Sequence, residues 1–189
     1  MKLTTYLAAA AMALWMAAAP LAHGAGWEMA GTKSIFVTTS EGQRLRIGTV
    51  SFTPSANDTV AFKLAMETER FTDYFLSMRE FKCLSGPAEV VCYVPYPHRQ
   101  PGTITRGNLA WLEHNLMFFY KQSSDFGAKL WNGIYFQLQP TETGLVGKPQ
   151  SIDLNVIGAP PQDDNPPYSP ALRDDMPVAK RWIQSLSIE

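Results

Sequence analysis

Apolar residues recur at every second position in one short run after another, and that period commits most of this chain to strands. Val60, Phe62, Leu64 and Met66 alternate with small or polar neighbours, as do Ile134, Phe136 and Leu138, and again Ile152, Leu154 and Val156. Residues two apart share a face of a strand, so each run predicts a strand with one buried side. The reading places strands over 34–39, 45–53, 59–66, 76–84, 89–95, 133–139 and 151–157, with a closing strand over 181–188. The first two flank Glu41-Gly42-Gln43 and read as a hairpin. In the second, Leu45, Ile47 and Thr49 are expected to point one way and Arg46, Gly48 and Val50 the other. Phe71, Tyr74, Phe75 and Met78 have helical spacing, which predicts a helical turn over 69–75.

One longer stretch departs from period two. Leu109, Leu112, Leu116 and Phe119 form a stripe three or four residues apart, which predicts a helix capped by Thr103 or Thr105 and ending near Gln122-Ser123-Ser124. The prolines between Tyr93 and Gly102 forbid helix and predict extended chain followed by loop. The run 159–170 is dense in Pro and Asp and is expected to be exposed and extended. The fold class is therefore α+β: a mainly antiparallel sheet with one principal helix, which lies on one face of the sheet or plugs a half-open barrel.

The N-terminus carries a different signature. Met1-Lys2 gives a short positive start, 7–21 is uncharged and mostly Ala, Leu, Met and Trp, and Ala22-His23-Gly24 offers small residues where a signal peptidase needs them. The pattern predicts a cleavable secretory signal over 1–24, cut after Gly24, and a single domain over 25–189 of about 165 residues. The apolar run falls short of the ~20 residues that span a bilayer and Pro20 interrupts it, so no stable membrane anchor is expected after cleavage. The expected destination is the periplasm or beyond. With Lys2 removed, fifteen Lys and Arg stand against seventeen Asp and Glu, a net charge of −2 that carries no footprint for nucleic acid.

Cys83 and Cys92 are the two cysteines. In an exported chain a close pair reads as a disulfide. They flank Ser85-Gly86-Pro87-Ala88, and the register that sets Cys83 opposite Cys92 puts both sulfurs on one face of a hairpin. Redox dithiols sit closer, as C-x-x-C at a helix start, so a structural bridge is the expectation.

Three strings occur together: Phe75-Leu76-Ser77-Met78-Arg79-Glu80-Phe81-Lys82-Cys83, Cys92-Tyr93-Val94-Pro95-Tyr96-Pro97 and Leu130-Trp131-Asn132-Gly133-Ile134-Tyr135. In these the chain resembles a group of exported proteobacterial proteins described as hypothetical. The resemblance covers most of the mature chain and implies bacterial export; it brings no activity, ligand or catalytic residue.

No G-x-S-x-G, phosphate loop or dinucleotide fingerprint is present, and Ser77 has no base nearby in sequence. After the predicted cut only His98 and His114 remain; Glu113 and His114 diverge by about 100° on a helix and cannot share an ion. No metal or cofactor is expected, a zinc site from both histidines and a distant carboxylate being the weaker alternative. Glu67, Glu69 and Asp73 lie close enough for paired-carboxylate chemistry, but with Arg70 and Arg79 beside them they read first as a solvated edge. Aromatics crowd the middle third, which reads as a large core or an aromatic-lined groove. Trp131-Asn132-Gly133 predicts a tight turn, with Asn132 able to aim its amide at a ligand. The expected function is a non-catalytic periplasmic module that binds a hydrophobic or sugar-like small ligand through Trp111, Phe118, Asn132 and Tyr135, or an envelope protein through the Pro-rich run or a sheet edge. The alternative is a small periplasmic hydrolase using His or carboxylate residues.

Overall fold

The computed structural model describes residues 27–76, 79–161 and 165–189. The expected signal segment with its cut after Gly24, Ser77 with Met78, and residues 162–164 of the Pro-rich run lie outside the described residues.

Among the described residues twelve strands form one antiparallel sheet: β1 (Gly31–Thr39), β2 (Arg44–Pro54), β3 (Thr59–Met66), β4 (Thr72–Leu76), β5 (Arg79–Ser85), β6 (Glu89–Val94), β7 (Thr103–Thr105), β8 (Met117–Gln122), β9 (Gly133–Pro140), β10 (Leu145–Ile152), β11 (Asp174–Asp175) and β12 (Ile183–Ile188). A short helix, α1 (Ala110–His114), precedes β8. The order is β4-β5-β6-β8-β9-β10-β12-β1-β2-β3-β7, with β11 beside β10. The sheet curls without closing, since the end strands β4 and β7 do not pair with each other. Side-chain alternation divides the core in two. Ile35, Val50, Phe118, Phe136 and Leu186 pack on one face with Leu112 and Leu116. Cys83, Cys92, Phe119, Tyr135 and Tyr168 pack on the other.

The hairpins expected at the N-terminal end and around the cysteines are present, and Cys83 pairs with Cys92 both in register and as a disulfide. The simple alternation expected in β2 is not. The register against β1 slips between Ile35 and Phe36, so Ile47 is an extra residue, and buried positions shift from Ile47 to Gly48, Val50 and Phe52. Such a bulge moves the inward set by one residue. Gly48 fits there for want of a side chain: a Cβ would lie 2.7 Å from Ala65 O on β3.

The principal helix is the largest correction. Only Ala110–His114 is helical, and Thr103 and Thr105 belong to β7 against β3 instead of capping anything. The N-cap position is Leu109, with no side-chain cap, and just before it Asn108 Oδ1 accepts from Ala110 N at 3.1 Å in an Asx turn. From Met117 the chain is strand, paired with β6 over six residue pairs from Glu89↔Gln122 to Val94↔Met117. Met-Phe-Phe-Tyr has strand preference once a partner edge exists, and that ladder outweighs the leucine stripe. Two strands have bounds other than those expected. The strand over 76–84 is the second arm of the β4–β5 hairpin and begins at Arg79. The strand over 151–157 ends at Ile152, because Asp153 accepts from Asn155 N at 2.9 Å and starts a 3-10 turn, Leu154–Gly158.

Candidate functional site

β5 and β6 pair only from Cys83 to Ser85, and beyond the disulfide they part. β6 stops at Val94, since Pro95 and Pro97 cannot donate to a ladder. The gap that results is an apolar cleft of about 520 Å³. Met66, Phe71, Phe81 and Tyr93 line it, and Leu154 and Ile157 of the 3-10 turn contribute to its wall. Phe81 is braced edge-on against Phe119 at 5.3 Å. Tyr93 donates its hydroxyl to Asn115 O at 3.0 Å, and burial pushes its pKa up to about 12. The charged groups at the rim, Lys82 and Glu80, are 3.2 Å apart, and Lys82 also pairs with Asp73.

The wall made by the turn is held from behind. His98 Nε2 contacts Ile157 O at 2.9 Å. Tyr168 donates its hydroxyl to Asp153 O at 2.8 Å, and its backbone N–H donates to His114 Nε2 at 3.0 Å. His114 is fully buried, stacked on the Tyr168 ring at 5.4 Å and met by the rings of Tyr96, Trp111 and Tyr135. Burial drives its pKa down to about 4, the contact to Ala110 O opposes that shift, and the Arg173 charge adds to it.

Beside it, Glu113 closes a gap in the sheet. β8 pairs with β9 only at Phe118↔Ile134 and Phe119↔Gly133, so farther along β9 an edge is left open. The Glu113 carboxylate takes the Leu138 N–H there at 2.7 Å and the Tyr135 hydroxyl as well. Burial raises the Glu113 pKa, against the pull of those two donors and of Arg173.

The four residues expected to bind a ligand do not meet in one site. Phe118 and Tyr135 are buried in the core clusters on opposite faces of the sheet. Asn132 donates its amide to Tyr120 O at 3.3 Å. Trp111 is half-buried and lines a second cleft, about 630 Å³, with His98, Arg99, Gln100, Pro160 and Pro161. The acids considered for catalysis are spread out: Glu67 pairs with Arg46 at 3.1 Å and Arg70 at 3.5 Å, Asp73 pairs with Lys82, and Glu69 is exposed. Among the described residues, no three His, Cys, Asp or Glu stand together as a metal site, and no helix is long and apolar enough to cross a membrane.

Sequence reasoning missed Tyr168, buried at 3% exposure inside a run expected to be exposed. A signal was present: Tyr168 is the single aromatic in residues 159–170. It missed the cleft because that cleft depends on where two strands separate. Comparison of the chain with family models, with curated proteins and with solved structures gives no match.

Proposed function

We propose that this chain is an exported, periplasmic binding module that holds a small apolar ligand in the cleft between β5, β6 and the 3-10 turn. The observation that carries the reading is the cleft itself. Its volume of about 520 Å³ lies in the range of small-molecule sites, and its walls are Met, Phe, Leu, Ile and Pro side chains with one tyrosine pointing its hydroxyl elsewhere. Lys82 is neutralised by Asp73 and Glu80, which favours an uncharged or weakly polar ligand body. The Cys83–Cys92 disulfide and the N-terminal export pattern support an oxidising compartment. A non-catalytic role is supported by the engagement of both histidines with the backbone and by the pairing of Glu67 and Asp73 with cations.

Titration of the uncharged fluorophore N-phenyl-1-naphthylamine tests this. Saturable binding at pH 7 is expected, weakened more than about tenfold by Val94→Asp, which places a charge in the apolar wall. The thermal midpoint of that variant should stay near wild type, because Val94 is only half-buried. Absence of saturable binding, or full affinity in Val94→Asp, overturns the reading. The cleft at Trp111 supports a second reading, a sugar-like ligand: a half-exposed indole stands beside Gln100, whose buried Oε1 has no hydrogen-bond partner. Oligosaccharide binding lost in Trp111→Ala and kept in Val94→Asp would favour it.

A further inference from the structure

Two histidines hold the turn that walls the cleft, and a proton affects them differently. His98 faces Ile157 O, which only accepts. Its Nε2 must donate, and a charged ring donates as well as a neutral one. His114 faces Tyr168 N–H, which only donates. Its Nε2 must keep a lone pair, and its Nδ1 carries the hydrogen that goes to Ala110 O at 2.6 Å. The neutral Nδ1–H tautomer is the form that satisfies both neighbours. A second proton has no place but Nε2, where it would point at the Tyr168 N–H.

Among the described residues, no acid stands against the ring to welcome that proton. Tyr96 meets it from the loop after β6, Tyr135 from β9 and Tyr168 from the Pro-rich run. Of the charged groups, Arg173 lies over the Tyr135 ring at 4.7 Å and disfavours protonation. Glu113, next to His114 on α1, already accepts from Tyr135 and Leu138.

What His114 holds is connected to the cleft. Tyr168 bonds Asp153 O, and Asp153 caps the turn that supplies Leu154 and Ile157 to the wall. We propose that His114 is an acid-released latch: protonation at Nε2 expels Tyr168, the Asp153 contact goes with it, and the wall loosens so that a ligand held at neutral pH is let go in acid. The ligand half of this rests on the apolar-cleft reading above. The latch itself does not.

Two readouts on the mature chain separate them. The first is exchange of the Tyr168 backbone amide, corrected for intrinsic rate, from pH 7 to 3.5. The second is N-phenyl-1-naphthylamine affinity over the same range. In wild type protection should fall below about pH 6.5, by up to about tenfold per pH unit, and level off near pH 4, with affinity falling over the same window. His114→Gln can still accept from Tyr168 N–H and does not titrate, so protection and affinity should stay level across the range. His114→Phe keeps a ring but no acceptor, and should show an unprotected Tyr168 amide already at pH 7. Wild-type Tyr168 protection that stays level through pH 4, or an identical fall in His114→Gln, overturns the latch. Failure of the fluorophore to bind at pH 7 overturns the cleft reading instead, and the amide measurement then decides the latch alone.

Discussion

Glu89 and Glu113 are both buried carboxylates that join strands to segments distant in sequence, and they are satisfied by different chemistry. Glu89, at the start of β6, meets Arg181 Nη1 at 2.7 Å, an ion pair off the angle of a hydrogen bond, and accepts from Trp182 N at 2.9 Å. Arg181 in turn lies 3.8 Å from the centroid of the Tyr120 ring, and Gly86 leaves room for the Trp182 ring to pack against the β5–β6 turn. This contact crosses from the third strand of the sheet to the seventh and maintains its curl. Among the described residues, Glu113 has no ion pair. It is met by a hydroxyl and a backbone N–H, with neutral His114 beside it. Burial raises the pKa of both acids, and for Glu89 the Trp182 N–H and the Arg181 charge oppose it. The first arrangement should break when a partner charge is removed. The second should respond to protons.

The largest effect is expected at the charged end. Arg181→Met leaves the Glu89 carboxylate buried without its counter-charge, and should cost about 4 kcal/mol in urea unfolding. Adding Glu89→Gln should recover most of that loss, since no buried charge then remains. A double variant as unstable as the single would mean that Arg181 acts through its contact with Tyr120 instead of its charge.

Next comes acid, through His114. Its pKa is about 4 in the folded chain and near 6.5 when exposed, so between those values the unfolded chain binds the extra proton. Stability from this group is complete above pH 6.5 and is lost as pH falls toward 4, by about 3 kcal/mol in all. Other groups titrate in the same range, so the quantity to read is the difference between the unfolding profiles of wild type and His114→Gln. Parallel profiles would remove the proton sensitivity assigned to this side of the molecule.

The smallest effect separates buried pairing from surface pairing. Arg44 and Glu189 also form an ion pair, but their side chains are 48% and 43% exposed. Arg44→Ala should change the unfolding free energy by less than about 1 kcal/mol. A loss approaching that of Arg181→Met would show that burial is not what distinguishes the two pairs.

Much of the sheet was legible because strand periodicity is local. β3 and β9 fall where Val60–Met66 and Ile134–Leu138 place them, and the Cys83–Cys92 hairpin follows from its turn and its pairing. The misreadings share a cause. The leucine stripe before Met117 is compatible with a helix until β6 offers six partners. The even spacing of Ile152, Leu154 and Val156 is overruled by one Asp153 carboxylate on a backbone N–H. Aromatic content alone puts Phe118 and Tyr135 in one site, but odd and even positions of adjacent strands face apart, and the sheet separates them.

The sequence by itself determined the antiparallel class, the disulfide and the placing of most strands, because each depends on residues a few positions apart whose side chains must share a face. Only the tertiary structure decided where β5 leaves β6 to open a cleft, which aromatic rings close on His114, and which of its nitrogens carries the hydrogen. Those outcomes depend on partners as far away as Tyr168, 54 residues on from His114, and on a backbone donor that no spacing rule can bring to a ring.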